Sequence, residues 1–268
     1  MRLLIKLRCL ESSSYEMQYH YYVQGFIYNL LKYSKYHYIH NREGYKFFCF
    51  SNIFPVTRTL EKGDLRTLII SSPDSGFIAH FYERLHQQWN TAELKIGCMR
   101  FRIDSIDKLI VKLPDSSRCT LVTGTPIIVR IPREKYKTYG IEPTKDYNYI
   151  YWRSAYPIEL FVYQVENNLL NKYAHFSKMN NGINVVEKNQ HMSTFFQASF
   201  SFFQKFKFKK QVSTRVLIRG SEHVLIGTVW EFTFNAYAKR DMIHFALDTG
   251  LGERNSLGFG FMNLQKNT

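Results

Sequence analysis

The chain is poor in cysteine, in acidic residues and in long apolar runs, and each shortage closes off a class of function. Cys9, Cys49, Cys98 and Cys119 are scattered over 268 residues, with no Cys-x-x-Cys and no Cys/His ligand spacing. Neither a zinc site nor a disulfide framework is expected, and free thiols fit a reducing cytoplasm. No uninterrupted run of about 18 apolar residues occurs, so no membrane span is expected. The stretch from Arg2 to Leu10 is interrupted by Lys6 and Arg8, which argues against a secretory signal. No glycine-rich segment ends in Gly-Lys-Ser/Thr, so ATP is not implied. No Ser-His-Asp or Cys-His motif stands out, and Glu16 and Glu43 do not make a convincing acid/base pair. No cofactor and no metal are expected.

The acidic shortage has a positive side. Thirty-six Lys and Arg face 22 Asp and Glu, for a net charge of +14. A globular chain this basic usually faces a polyanion. Aromatics make up 16% of the residues, with 19 Tyr and 22 Phe. Unpaired RNA bases stack on aromatic faces, so charge and rings together lean toward RNA. Most of the rings are still expected in a core, for which the 45% hydrophobic content is ample.

The order of elements repeats. Leu3 to Cys9 reads as a strand. A helix over 16–34 carries Val23, Phe26, Ile27, Leu30 and Leu31 as one apolar stripe. Strands over Lys46–Ile53 and Leu65–Ile70 follow. A second helix through Phe77, Ile78, Phe81 and Leu85 has Asp74 or Ser75 as N-cap. A strand or hairpin then spans Leu94 to Val111. The segment from Lys112 to Ser117 reads as a boundary. Beyond it come a strand over Cys119–Ile131 and a long helix after Pro157. Two β segments follow, over Ala198–Lys209 and Val224–Phe234, then a short helix over Ala238–Leu247 and a last strand near Phe259–Leu264. Residues 134–155 and 177–196 read as loops or insertions. The order is βαββαβ twice, so the fold class is α+β, two tandem ferredoxin-like (RRM-like) domains over 1–113 and 118–268.

Near the end stands Gly250-Leu251-Gly252-Glu253-Arg254-Asn255-Ser256-Leu257-Gly258-Phe259-Gly260. Two Gly-apolar-Gly triplets flank five residues, between a helix and the last strand. Glycine permits positive φ and close approach of another backbone. Arg254, Asn255 and Ser256 offer a guanidinium and successive N–H groups to phosphate oxygens. A tight turn packing against a helix explains one such triplet equally well. The pair resembles the C-terminal glycine-rich loop of the CRISPR repeat-associated RNA-binding superfamily, and within it the repeat-processing endoribonuclease. The resemblance implies tandem ferredoxin-like domains and cleavage of CRISPR precursor RNA into guide RNAs. It makes Gly250, Gly252, Arg254, Asn255, Ser256, Gly258 and Gly260 candidate RNA contacts.

A second resemblance lies in Tyr21 to Asn29, Ile39-His40-Asn41 and Tyr45 to Phe48. Archaeal members of the family carry a Tyr on the first helix, a His in the loop after it and a Lys a few residues on. Here those positions are Tyr28, His40 and Lys46, with His37 as rival or helper and Tyr45 beside Lys46. A metal-free ribonuclease uses the substrate's own 2′-hydroxyl as nucleophile. It needs a base, an acid for the leaving 5′-oxygen and a cation for the phosphorane. His titrates near neutrality, and Lys46 can stabilise the developing charge. An unperturbed phenol is a weak base at neutral pH. The assignment of base and acid among Tyr28, His37 and His40 stays open. His37 and His40 lack the further ligands a metal site needs.

Further along, Phe202, Phe206 and Phe208 alternate with Phe203, Lys205, Lys207 and Lys209. On a strand this puts rings on one face and a row of lysines on the other. Lys205, Lys207 and Lys209 are candidates to track phosphates, although lysines also protect an exposed sheet edge. Arg215 and Arg219, before Gly220, match the basic hairpin the family uses to hold its RNA. The implied partner is CRISPR repeat RNA, with no membrane. Other interference-complex subunits and a homodimer stay open, as does the rival reading of a non-catalytic RNA-binding subunit, which has no reason to keep Tyr28, His40 and Lys46.

Overall fold

The computed structural model describes residues 1–88, 93–114, 119–143, 145–181, 202–218, 220–234 and 240–265. Its first half contains β1 (Arg2–Cys9), α1 (Tyr19–Leu31), the one-turn α2 (Tyr38–Asn41), β2 (Cys49–Phe50), β3 (Leu65–Ser71), α3 (Ser75–Gln88), β4 (Glu93–Ile96) and β5 (Met99–Leu109). They form one antiparallel sheet in the order β2-β3-β1-β5-β4. Alternation in β1 sets its faces: Leu3, Ile5 and Leu7 are fully buried while Lys6 is exposed, as a period of two requires. The buried residues of α1 include Val23, Ile27, Leu30 and Leu31, the stripe expected from sequence. Asp74 caps α3, its Oδ1 accepting the Phe77 N–H at 3.1 Å.

The second half contains β6 (Thr120–Thr123), β7 (Ile127–Ile128), β8 (Arg130–Pro132), β9 (Tyr149–Tyr151), α4 (Ile158–Asn181), β10 (Phe203–Ile218), β11 (Ser221–Phe234), α5 (Arg240–Thr249) and β12 (Met262–Leu264). Its main sheet runs β10-β11-β6-β12, with β7 pairing β11. Reducing each half to βαββαβ gives the same spatial order of the four core strands: second, third, first, fourth. The fold is therefore α+β with tandem ferredoxin-like topology.

Several local expectations change. The strand expected over Lys46–Ile53 contracts to Cys49–Phe50. The one expected over Cys119–Ile131 breaks into three pieces, because Gly124 and Pro126 interrupt it. Residues 134–155 are not all loop. They hold two 3₁₀ turns and β9, which pairs with β8. Residues 182–196 lie outside the described residues, whereas 177–181 continue α4. The long β10–β11 hairpin reaches Ile218↔Ser221 at its tip. Among the described residues no helix is long and apolar enough to cross a membrane.

The halves are joined by buried polar contacts. Arg2 on β1 donates to Asn263 Oδ1 (2.8 Å), to the Leu247 carbonyl (3.0 Å) and to the Met262 carbonyl, and lies over the Phe261 ring. Burial pushes its pKa down to about 10. Phe47 and Phe48 divide between the two cores, Phe47 entering the second and Phe48 the first. Phe47 takes φ of 52°, a conformation strained for a bulky residue.

Candidate active site

A cleft of about 1150 Å³ opens between the halves. One wall is α1 and the segment following α2, the other is α4, and the glycine loop forms its base. Tyr28, His40 and Lys46 meet on the first wall. Lys46 Nζ donates to Tyr28 Oη and to the His40 carbonyl, both at 2.8 Å. The Tyr28 and His40 rings meet edge to face, centroids 4.8 Å apart. The positive φ of Phe47 turns the chain so that Phe47 leaves for the second core while Lys46 stays at the cleft.

The protonation states follow from the surroundings. Burial pushes the Tyr28 phenol up to about 12, with the Ser256 side chain pulling against it. Tyr28 is therefore a phenol at neutral pH, suited to orient and donate. Partial burial lowers the Lys46 ammonium from its ordinary value. His40 is exposed, and its Nδ1 lies 2.7 Å from Asn41 Oδ1. With that oxygen as acceptor, Nδ1–H is the donor. His37 is exposed at the start of α2, outside the cleft lining. It is not brought to the Tyr28–His40–Lys46 group.

The glycine loop meets this group directly: the Ser256 side chain reaches the Tyr28 phenol. Gln24 on α1 donates to the Ser256 carbonyl at 2.9 Å. His20 is buried between the Tyr19 and Phe259 rings, its Nδ1 2.6 Å from the Leu257 carbonyl. Burial lowers its pKa to about 4, so the ring is neutral and Nδ1–H is the donor.

Within the loop the glycines serve packing. Gly250, Gly252, Gly258 and Gly260 are buried, all with positive φ. A Cβ on Gly260 would stand 1.9 Å from the Leu251 carbonyl oxygen, and one on Gly258 2.3 Å from the Phe50 ring. Asn255 works inward too, donating to the Leu251 and Phe259 carbonyls at 3.1 and 2.9 Å. Of the seven loop residues, Arg254 is exposed, and Asn255 and Ser256 are partly so; all three line the cleft with Gly252. No acidic side chain pairs with Arg254 among the described residues, since Glu253 is taken by Arg130.

Sequence reasoning missed Lys172 and His175 on α4. Lys172 is almost fully buried and donates to the Gly250 carbonyl (2.6 Å), Asn255 Oδ1 (2.9 Å) and the Gly252 carbonyl (3.3 Å). Burial pushes it down to about 7, while its three acceptors favour the ammonium. Its signal was present, because Lys172 falls three residues after Leu169 and seven after Val165, on the helix's apolar stripe. His175 lines the cleft, its ring 5.5 Å from that of Tyr45.

The lysine row is only partly as expected. Bulges at Phe203/Lys205 and Phe208/Lys210 interrupt the register, and Phe208, in step with Phe206 between them, is exposed. Lys205 and Lys207 are exposed, whereas Lys209 pairs with Glu231 at 2.6 Å. β10 is the outer strand of its sheet. Arg215 is exposed, 3.6 Å from Glu222. Arg219 lies outside the described residues. Leu217 and Ile218, beside the hairpin tip, line the cleft.

Tandem ferredoxin-like halves closed by a C-terminal glycine loop place the chain in the repeat-associated RNA-binding class. The family model "CRISPR associated protein Cas6, C-terminal" matches residues 110–264. "CRISPR-associated endoribonuclease Cas6 2" of Methanocaldococcus jannaschii is 30% identical over 266 residues, 98% of this chain and 99% of that one. "CRISPR-associated endoribonuclease Cas6" of Haloferax mediterranei is 27% identical over 272 residues, 100% and 95% of the two chains. The solved structure "Characterization of a Cas6-related gene from Pyrococcus furiosus" superposes with a TM-score of 0.68 at 20% identity, covering 100% of this chain and 99% of that one. The chain belongs to the Cas6 family.

Proposed function

We propose that the chain is an endoribonuclease that cuts CRISPR precursor RNA within its repeats, without a metal. The observation that carries this reading is the meeting of Tyr28, His40 and Lys46 in one cleft that the glycine loop also lines. The relatives' names supply the substrate class. In this reading Nε2 of His40 takes the 2′-hydroxyl proton and the 2′-oxygen attacks the adjacent phosphorus. The P–O5′ bond breaks as the 5′-oxygen takes a proton from the Tyr28 phenol or from solvent, giving a 2′,3′-cyclic phosphate and a 5′-hydroxyl, and the His40 imidazolium then releases its proton to solvent. Lys46 stabilises the phosphorane charge and Tyr28 orients the reacting group. Residues 1–113 supply these side chains. Residues 118–268 supply the RNA-holding surface, with Arg254 and Ser256 at the cleft and Lys205, Lys207 and Arg215 on the hairpin.

The test is cleavage of labelled repeat RNA in excess EDTA, beside the same RNA carrying one 2′-deoxy at the mapped cut. Cleavage in EDTA that the deoxy substitution abolishes supports the mechanism. Tight binding without cleavage of either RNA overturns it in favour of a non-catalytic RNA-binding subunit.

A further inference from the structure

Gln164, Asn167, Asn168 and Asn171 fall at i, i+3, i+4 and i+7 of α4, one face of a helix. All four line a small cavity of about 140 Å³ that shares Tyr45, Asn168, Gly252 and Glu253 with the main cleft. Among the described residues none of the four amides makes a side-chain hydrogen bond, and Asn168 Oδ1 is buried without a donor. A buried acceptor left unpaired is costly, so its persistence here calls for a partner from outside the chain. A single water is a poor account of it. The cavity is about ten times the roughly 10–15 Å³ needed to seat one.

The lining says what kind of partner. Among the described residues no Lys or Arg borders the cavity, and Glu253, which does, is already paired with Arg130, so the lining offers no free cation to a phosphate. Ile128 and Val129 add an apolar surface, and Tyr45 a ring. The occupant that fits is neutral and planar, with donors beside acceptors on its edge. A side-chain amide presents the complement, a carbonyl beside an NH₂. Unpaired RNA bases are bound in this way, splayed from the strand with the edge hydrogen-bonded.

We propose that this cavity holds an unpaired nucleobase of the RNA close to the scissile phosphodiester, read by the α4 amides. The proposal rests on the reading that the main cleft binds and cuts RNA. It makes α4 a specificity element, contributing sequence choice where the Tyr28–His40–Lys46 wall contributes chemistry.

The test is single-turnover cleavage, at subsaturating protein, of a panel of repeat RNAs with one abasic nucleotide at each position flanking the cut. The proteins are the full chain, Asn168→Ala, the double variant Asn167→Ala/Asn171→Ala, and Asn171→Ala alone, an exposed change that does not threaten folding. With the full chain, one abasic position is expected to slow cleavage about tenfold, the effect of losing one good side chain–base contact. In the variants that same position loses its penalty while the others keep theirs. Variants that slow every RNA in the panel equally, or that leave every abasic penalty unchanged, overturn the base pocket while leaving the ribonuclease reading intact. A full chain that cuts none of the panel, intact repeat included, overturns both.

Discussion

The two sides of the cleft are built on opposite terms. On one side the exposed His40 meets the half-buried Tyr28 and Lys46, tied by two hydrogen bonds and an edge-to-face ring contact. On the other, the glycine loop is locked from beneath. Lys172 donates three hydrogen bonds into it, Asn255 donates two across it, and His20 holds its far end. The difference teaches where stability and reactivity reside. If these side chains exchange protons as proposed, His40 has the access to solvent and substrate that this requires. A surface that must present Arg254 and Ser256 in one geometry needs a rigid bed, and close-packed glycines supply it.

The largest expected effect breaks the locked side. Gly260→Ala puts a methyl where the Leu251 carbonyl oxygen already lies, 1.9 Å away, on a residue with φ of 71°. The loop has to rebuild, at more than about 4 kcal/mol of unfolding free energy. Gly220→Ala is the control: φ is 79° but nothing lies within 4 Å, so only the left-handed backbone is penalised, about 1–2 kcal/mol. Lys172→Met tests the same lock from below. It leaves the Gly250 carbonyl, the Gly252 carbonyl and Asn255 Oδ1 without their buried donor, for a loss of about 3–5 kcal/mol. Urea midpoints rank all three. Gly260→Ala no costlier than Gly220→Ala would show that the loop is not close-packed.

The reactive side should respond in the opposite sense. His40→Ala removes an exposed ring, so stability is expected to stay within about 0.5 kcal/mol. Cleavage under single-turnover conditions is expected to fall about 10²–10⁴-fold with RNA binding retained. Equal rates for variant and parent would remove His40 from the chemistry. A large stability loss would show that the wall is structural after all.

The same contrast explains how much could be read in advance. Elements with a strict period were legible: β1 from Leu3, Ile5 and Leu7, and α1 from its apolar stripe. The short strands were not, since Cys49–Phe50 and Ile127–Ile128 are too brief to carry a period. The glycine loop was legible as a loop, because two Gly-apolar-Gly triplets demand positive φ. Its inward half was not. That Asn255 points under the loop and Lys172 comes up to meet it depends on residues 83 apart, a distance no local pattern spans. The exposed lysines of β10 were legible, but the pairing of Lys209 with Glu231 was not, since its partner lies on the neighbouring strand. Tyr28, His40 and Lys46 were proposed from the resemblance, with Tyr28 also standing off the apolar stripe of α1; the sequence could not show that the three meet.

His20 offers a pH handle on the locked side. Its folded pKa of about 4 lies below the roughly 6.5 of an unfolded histidine. Between those values the unfolded chain binds a proton that the folded chain does not. Stability from this group is complete above pH 6.5 and is lost as pH falls toward 4, by about 3 kcal/mol. His20→Phe keeps an aromatic ring in the stack and gives up the hydrogen bond to Leu257. Its stability should therefore fall less steeply than the parent's between pH 6.5 and 4, followed by urea unfolding at several pH values. Parallel curves would show that His20 is not the buried neutral group.

The smallest expected effect sharpens the comparison on the hairpin, where three lysines in one strand no longer look alike. Lys205 and Lys207 are exposed, but Lys209 already has a carboxylate, Glu231, at 2.6 Å. That contact raises the Lys209 pKa and lowers that of Glu231. Both groups lie at the surface, so the pair adds little to stability. Its effect on RNA is a matter of local charge: a phosphate approaching Lys209 meets a pair of net zero, Lys207 stands opposite the same Glu231 in the register, and Lys205 lies away from it. If the hairpin tracks the strand, Lys205→Ala should flatten the dependence of log affinity on log salt by about 0.7, one phosphate contact on a single strand, and Lys207→Ala by less. Lys209→Ala should change that slope by much less, because it uncovers Glu231 while removing a cation already neutralised. Filter binding across a salt series is sufficient to measure it. Three equal changes would mean that the RNA displaces Glu231 from Lys209, and three null changes would leave the lysines as guards of an outer strand.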